Sequence, residues 1–166
     1  SEGSPHWNAA APGGDNKSSA DDLGFFKKLN EKILSEYNID SNDVNVGGYS
    51  NGAMMSYYLA CQNDLNIASV VAVSGALLQI NNQDCPNQNA PSLLLIHGTN
   101  DSVLSYEENE DFFGIPNTVD FWRSLIGVDT SKVVEHIRIE DGYHVWFKGL
   151  INDSDINQNI WRFITN

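Results

Sequence analysis

Residues 44–52 read VNVGGYSNG, a short apolar strand pattern that runs into a G-x-S-x-G pentapeptide between Gly48 and Gly52. Residues 51–62 are rich in Ala, Met, Tyr and Leu, a composition that favours a helix. Strand, sharp turn and helix in this order predict a nucleophile elbow, a strained turn that lifts the Oγ of Ser50 above the end of a sheet. The alternative is a turn bounded by glycines around a buried serine.

The residues around Ser50 have separate expected roles in this turn. Side chains in place of Gly48 and Gly52 are expected to collide with the neighbouring strand and helix, which explains glycine at both positions. Asn51 opens the helix, where the helix dipole favours negative charge. We therefore expect its backbone N–H to be an oxyanion-hole donor.

The rest of the chain alternates strand patterns with helix patterns. The runs at 67–75 and 91–98 are apolar throughout, as is typical of strands covered on both faces, and 132–140 alternates like a strand nearer the sheet edge. Helical spacing is found at 19–37, where Ser19 and Asp22 are expected to form a capping box, at 117–126 and at about 153–164. The pattern predicts an α/β fold with a mostly parallel sheet and helices on both faces.

A catalytic serine needs a histidine base and a carboxylate that orients the base. In the α/β-hydrolase arrangement these follow the serine in the order acid, then histidine. Asp101 follows the second apolar run and His144 follows the alternating strand, so both are expected in loops at the carboxyl ends of parallel strands. Ser50, Asp101 and His144 are therefore the predicted catalytic residues.

Other histidines and acids are less well placed for this role. His97 precedes Asp101 in the chain and is expected to be structural. His136 falls within a predicted strand and His6 within the irregular segment at 1–18. The acidic run at 107–111 is interpreted as a solvated loop.

Three aromatic residues lie beside the predicted catalytic residues. Tyr49 precedes the serine, Tyr106 follows the acid loop and Trp146 follows the histidine by two positions. We expect them to line an aromatic substrate pocket, although packing at the edge of the core is an equally open interpretation. No metal or other cofactor is expected in chemistry of this kind.

Length and charge limit the function further. The 166 residues match one domain with a single site. The net charge of −13 argues against nucleic acid and anionic membrane as partners, because such surfaces would be repelled. The sequence has neither an apolar run of about 18 residues nor the pattern of a signal peptide, so no membrane association is expected.

Cys61 and Cys85 do not fit the spacing of a zinc site. They are expected either to form a disulfide, in an oxidising compartment, or to be small buried hydrophobic residues in a cytosolic protein. The residues alone leave both possibilities open.

Several segments together resemble the polyhydroxybutyrate depolymerase-like esterases, α/β-hydrolases that include feruloyl and acetyl-xylan esterases. These segments are GYSNGAMMSYYLAC, PSLLLIHGTNDSVLSY, DGYHVWF, WNAA and DDLGFF. The resemblance implies that Ser50 is the nucleophile, Asp101 the acid and His144 the base, with Trp146 matching a tryptophan common in the family. It also implies a secreted or periplasmic protein, which favours the bridge between Cys61 and Cys85.

The expected activity is that of a serine carboxylesterase, which hydrolyses small or aromatic acyl esters, of the feruloyl, acetyl or polyester type, through an acyl-enzyme. One alternative is a serine peptidase of the prolyl-oligopeptidase type, which shares the elbow and the order of the triad. The other is a binding module that retains the fold without the activity.

The sequence departs from the family pattern before Val44, where only loop and one helix are predicted. The nucleophile strand would then lose a neighbour and expose an apolar edge. We therefore expect residues 1–166 to be a single, partial domain, the C-terminal part of an α/β-hydrolase that lacks the first strands. The missing portion is expected to be cleaved but still associated, unresolved, or supplied by a second chain that completes the sheet.

Overall fold

A parallel sheet of four strands is the centre of the structure, a computed structural model that describes residues 5–10, 18–62, 65–85, 90–151 and 154–165. The strands lie in the order β1-β2-β3-β4, and each neighbouring pair is parallel. They are β1 (Val44–Tyr49), β2 (Ile67–Val73), β3 (Ser92–Gly98) and β4 (Val134–Ile139). The prediction of a parallel α/β fold is confirmed.

Helices precede, connect and follow these strands. They are α1 (Asp22–Glu36), α2 (Asn51–Cys61), α3 (Ile115–Ile126) and α4 (Ile156–Ile164), with a 3-10 helix at Gln79–Asp84 between β2 and β3. A short antiparallel pair, β5 (Leu150–Ile151) and β6 (Ser154–Asp155), had no counterpart in the sequence pattern. None of the described helices has the length and apolar content that crossing a bilayer requires.

Two helix starts differ from the sequence-based expectation. The N-cap of α1 is Asp21, whose carboxylate accepts a hydrogen bond from the backbone N–H of Gly24, so the box expected from Ser19 and Asp22 is wrong. The capping box is instead at α4, where the Asp155 side chain caps the helix and the Gln158 side chain accepts from the Asp155 backbone. The expected first residue of that helix, 153, lies outside the described residues.

The two central strands are buried on both faces, as their continuous apolar runs predict. Alternate residues of β2 point to opposite sides of the sheet. Val70 and Ala72 pack in the cluster that includes side chains of α2 and α3, and Val71 and Val73 pack in the cluster that includes α4. The sheet therefore carries helices on both faces.

The strand before the serine, β1, lies at an edge of the sheet and pairs only with β2 among the described strands. A cleft of about 460 Å³ lies beside it, between α1 and α2. Phe26, Leu29 and Ile33 of α1 line this cleft, and α1 has no buried residue. The open apolar edge that the sequence predicts at this strand is thus present in the described chain.

A disulfide joins Cys61, the last residue of α2, to Cys85, which follows the 3-10 helix. Both cysteines are buried. Closure of a loop of this length stabilises the fold by about 3 to 4 kcal/mol in the chain-entropy description.

Candidate active site

Ser50 occupies the turn between β1 and α2 in a strained backbone conformation, with φ 53° and ψ −121°. Positive φ is uncommon for a residue with a side chain, so the surrounding structure must hold it there. The Ser50 N–H donates to the carbonyl of Val73 at 3.0 Å, which ties the turn to the end of β2.

The two glycines that flank this turn are not equivalent. A Cβ on Gly48 would lie 2.2 Å from the carbonyl carbon of Gly52 and 2.7 Å from the backbone nitrogen of Ala53. A Cβ on Gly52 would meet no described atom within 4 Å. The steric expectation therefore holds for Gly48 and is wrong for Gly52, because only at Gly48 does the strand backbone press against the helix.

Ser50, His144 and Asp101 form a continuous chain of hydrogen bonds. His144 Nε2 lies 2.9 Å from Ser50 Oγ, and His144 Nδ1 lies 2.7 Å from Asp101 Oδ2. The three residues follow β1, β4 and β3 respectively, so parallel strands deliver them to one edge of the sheet. The structure thus brings together the three residues that the sequence selects.

The Asp101 carboxylate is buried and is bound on both oxygens. Oδ1 accepts from the backbone N–H groups of Val103 at 2.9 Å and Leu104 at 2.8 Å, while Oδ2 faces His144. A carboxylate is costly to bury unless hydrogen-bond donors surround it. The turn that follows Asp101 supplies them and so aims one oxygen at the imidazole.

The loop that carries His144 is held by two hydroxyl donors from neighbouring strands. Tyr49 Oη donates to the His144 carbonyl at 3.0 Å, and Ser74 Oγ donates to the Val145 carbonyl at 3.1 Å. Burial, and then the Asp101 carboxylate, raise the pKa of the Tyr49 phenol, so it keeps the proton that it donates. Sequence reasoning missed Ser74, and its only signal was a polar residue at the end of an apolar run.

Asn51 lies where the sequence places the oxyanion donor. Its backbone N–H is in the first turn of α2, where donors have no intrahelical acceptor. Its side chain pairs with the backbone of Trp7: Oδ1 accepts from the Trp7 N–H at 2.6 Å and Nδ2 donates to the Trp7 carbonyl at 3.0 Å. This pairing fixes the start of the helix next to the nucleophile.

The three aromatic residues separate into two groups. The Tyr49 ring is 5.2 Å from the His144 ring and 6.5 Å from the Trp146 ring, so Tyr49 lies beside the histidine and Trp146 lies beside Tyr49. The contacts of Tyr106 are instead with His97, His136 and Arg138. Tyr106 therefore lies on the His97 side of Asp101, and nothing among its described contacts brings it to Ser50 or His144 as a pocket residue.

A cleft of about 520 Å³ adjoins Asn51 and was not foreseen from the sequence. Its walls are mostly apolar, with acidic side chains among the lining residues. They include Trp7, Ala9, Met54, Leu78, Ile80, Leu104, Phe112, Glu110 and Asp111. Apart from Met54 in α2 and Ile80 in the 3-10 helix, these residues come from loops and irregular segments, where no periodic pattern indicates a shared surface.

No group of three or more His, Cys, Asp or Glu side chains in the described part of the chain is arranged to hold a metal ion. What the site contains is a strained serine at the end of a parallel strand, hydrogen-bonded through histidine to a buried carboxylate. Fold and site together define an α/β-hydrolase with the serine, acid and histidine in that chain order. The chain belongs to the phospholipase/carboxylesterase family, which matches residues 14–130.

Two curated proteins are similar to part of the chain. A bifunctional acetylxylan esterase/xylanase of Neocallimastix patriciarum is 31% identical over 98 residues, which cover 55% of this chain and 13% of that protein. A probable feruloyl esterase C of Aspergillus niger is 31% identical over 90 residues, which cover 54% of this chain and 32% of that protein. The match thus spans about a third or less of either relative.

Solved structures share the fold at low sequence identity. The crystal structure of esterase PE8 superposes with a TM-score of 0.62 at 18% identity, covering 86% of this chain and 60% of that one. Acyl-protein thioesterase 2 of Zea mays superposes with a TM-score of 0.57 at 18% identity, covering 94% of this chain and 69% of that one.

Proposed function

We propose that the protein is a serine carboxylesterase that hydrolyses small or aromatic acyl esters through a covalent acyl-enzyme. The observation that carries the proposal is the hydrogen-bonded chain from Ser50 through His144 to Asp101. Strain at Ser50 adds support, because strained backbone persists at functional sites where the surrounding structure enforces it.

The first half of the proposed reaction forms the acyl-enzyme. Ser50 Oγ attacks the ester carbonyl carbon and transfers its proton to His144 Nε2. The carbonyl oxygen becomes an oxyanion that the Asn51 N–H stabilises. Asp101 holds the Nδ1–H tautomer and stabilises the imidazolium. When the tetrahedral intermediate collapses, the C–O bond to the alcohol breaks and Nε2–H protonates the departing oxygen.

The second half regenerates the serine. Water attacks the acyl carbon while His144 Nε2 takes one of its protons, and collapse of the second intermediate breaks the bond to Ser50 Oγ, which recovers its proton from the imidazolium. The acid product then leaves.

The cleft beside Asn51 is proposed to receive the acyl group. Its volume, about 520 Å³, is within the range of small-molecule sites, and side chains such as Leu78, Ile80 and Phe112 suit an apolar or aromatic acyl chain. The names of the curated relatives, acetylxylan esterase and feruloyl esterase, point to acetyl and feruloyl esters. Polyesters are the third proposed class of substrate.

Labelling with a fluorophosphonate probe tests the activated serine. We expect the wild-type protein to be labelled and Ser50→Ala to be unlabelled. Circular dichroism would show that both proteins are folded. A folded wild-type protein that takes no label would favour a binding module over an enzyme.

Substrate class requires a separate comparison. Hydrolysis of p-nitrophenyl acetate, methyl ferulate, dispersed polyester and a chromogenic dipeptide would be measured on the same preparation. We expect the esters to be cleaved. Cleavage of the peptide alone would show that the protein is a serine peptidase and not an esterase.

Two further parts of the proposal concern the setting of the domain. We propose that a strand from outside the described residues completes the sheet at β1, because this edge is open and an apolar cleft adjoins it. We also propose a secreted or periplasmic location, which the disulfide between Cys61 and Cys85 supports, since disulfides persist in oxidising compartments.

A further inference from the structure

His97 is a fully buried histidine that the proposed reaction does not use. It lies near the end of β3, four residues before Asp101, and neither side chain is exposed to solvent. A polar ring is costly to bury unless it makes specific contacts. Besides a hydrogen bond with the Gly75 backbone, its polar contacts are with Asp101 and the turn that follows it.

The ring holds the turn that follows Asp101. His97 Nε2 is 2.9 Å from the Leu104 carbonyl oxygen and 3.2 Å from Asp101 Oδ2. The Leu104 N–H, in turn, donates to Asp101 Oδ1 at 2.8 Å. His97 therefore contacts the carbonyl of the same residue whose N–H binds one carboxylate oxygen, and it lies close to the other oxygen.

The protonation state of His97 follows from these partners. A carbonyl oxygen only accepts, so the ring donates to Leu104 in the tautomer that carries its proton on Nε2. Burial lowers the pKa of His97, an effect that the Leu104 carbonyl and Asp101 only partly oppose. A lowered pKa favours the neutral ring at neutral pH.

Tyr106 packs against the other side of the imidazole. The two rings meet edge to face with their centres 6.2 Å apart. The Tyr106 ring also stacks on His136 at 6.0 Å and lies under the Arg138 guanidinium at 5.7 Å. The Tyr106 ring therefore occupies the space beside the His97 ring.

We propose that His97 is a positioning residue, whose Nε2–H holds the Asp101 turn so that Oδ2 faces His144. The inference rests on the proposed esterase function, because the orientation of Asp101 matters only if His144 acts as a base. It extends that function to a residue that touches neither substrate nor the reacting atoms.

The variants His97→Gln and His97→Met test the proposal as a matched pair. The two side chains are unbranched and of similar length, and only glutamine ends in an N–H donor. Rates would be measured with p-nitrophenyl acetate and divided by the number of sites that a fluorophosphonate titrates, so that misfolded molecules are not counted.

We expect His97→Met to lower kcat about 10- to 100-fold, the effect of a misplaced catalytic group or a lost hydrogen bond near a charge, with KM changed less than about threefold. His97→Gln should recover most of the rate. Equal rates for the two variants would overturn the positioning role but not the esterase. A wild-type protein that neither labels nor hydrolyses ester would instead defeat the function on which the inference rests.

A measurement on the unaltered protein covers the case in which neither variant folds. In ¹⁵N-histidine NMR spectra, His97 should be the neutral Nε2–H tautomer at pH 7. A spectrum with the proton on Nδ1 would overturn the proposal, because Nε2 would then have no proton to donate.

Discussion

Replacement of Gly48 by alanine is the sharpest test of how this fold holds its serine. The new Cβ would lie 2.2 Å from the carbonyl carbon of Gly52, 2.4 Å from its oxygen and 2.7 Å from the Ala53 nitrogen. All three are backbone atoms, so rotation of a side chain cannot relieve these contacts. Strand β1 and helix α2 must separate by about 1 Å to restore ordinary contact.

The magnitude of the effect follows from that displacement. Overpacking a core costs about 1 to 3 kcal/mol, and a rigid backbone neighbour places Gly48→Ala at the upper end. A shift of about 1 Å at a catalytic group costs roughly 100-fold in rate. Ser50 lies between the two elements that separate, so we expect kcat for p-nitrophenyl acetate to fall by about that factor and the melting temperature to fall as well.

Gly52→Ala is the matched control, because it adds the same methyl group to the other glycine of the pentapeptide. Its Cβ would meet no described atom within 4 Å, and alanine favours a helix over glycine by about 1 kcal/mol. We expect near wild-type kcat and equal or higher stability. If Gly52→Ala loses as much activity as Gly48→Ala, or if Gly48→Ala is as active as the wild type, the steric reasoning is refuted.

Three other variants test separate parts of the structure. Asp101→Asn should reduce kcat on the order of 10⁴-fold, because an amide can donate to Nδ1 and favour the wrong His144 tautomer. Ester kinetics with an unchanged melting curve would show this, and a loss of less than tenfold in kcat would contradict it. Replacing Cys61 and Cys85 together by alanine should remove about 3 to 4 kcal/mol of stability, roughly 10 °C in melting temperature by calorimetry, whereas an unchanged midpoint would show that the bridge contributes nothing. Since burial lowers the pKa of His97 below its ordinary value of 6.5, the unfolded chain binds more protons just below pH 6.5, so the free energy of unfolding should fall as pH decreases through that value. In urea melts this dependence should be weaker in His97→Gln, and an equal dependence in the two proteins would contradict the assignment.

Strand patterns and chain order were enough to predict the centre of this site. The continuous apolar runs predicted buried parallel strands, and parallel strands bring their carboxyl ends to one edge. Asp101 and His144 could then be chosen because each follows such a strand. The choice needed no knowledge of distance, since the topology supplies it.

Properties that depend on contacts between distant loops were not predictable in this way. Tyr106 is close to Asp101 in sequence, yet its ring turns to His97 and Arg138 because a stacked cationic and aromatic layer is available there. The cleft beside Asn51 likewise combines Trp7 with Phe112, residues more than a hundred positions apart. Neither arrangement leaves a periodic signal.

The helix start at Asp21 shows a different kind of limit. Ser19 with Asp22 matches the capping-box pattern, but Asp21 also has a side chain that can cap, and its carboxylate binds Gly24. The Asp22 carboxylate is engaged elsewhere, with the backbone N–H of Asn8 at 2.8 Å. A tertiary contact thus decided between two local motifs of similar strength.

Activation of Ser50 and catalytic turnover depend on different parts of the site. The contacts that orient Ser50, His144 and Asp101 all lie among described residues, so covalent labelling should depend little on what covers β1. The Asn51 N–H is the proposed oxyanion donor, and we propose that a second donor comes from the strand that completes the sheet at β1. A single missing oxyanion donor costs about 100- to 1000-fold in rate. Measuring the labelling rate and kcat on residues 1–166 alone therefore tests the proposed completion of the sheet. Fast labelling with slow turnover would indicate that the second oxyanion donor comes from the strand that completes the sheet at β1. Fast labelling with turnover in the range typical of enzymes, about 10 per second, would show that the described fold is sufficient by itself.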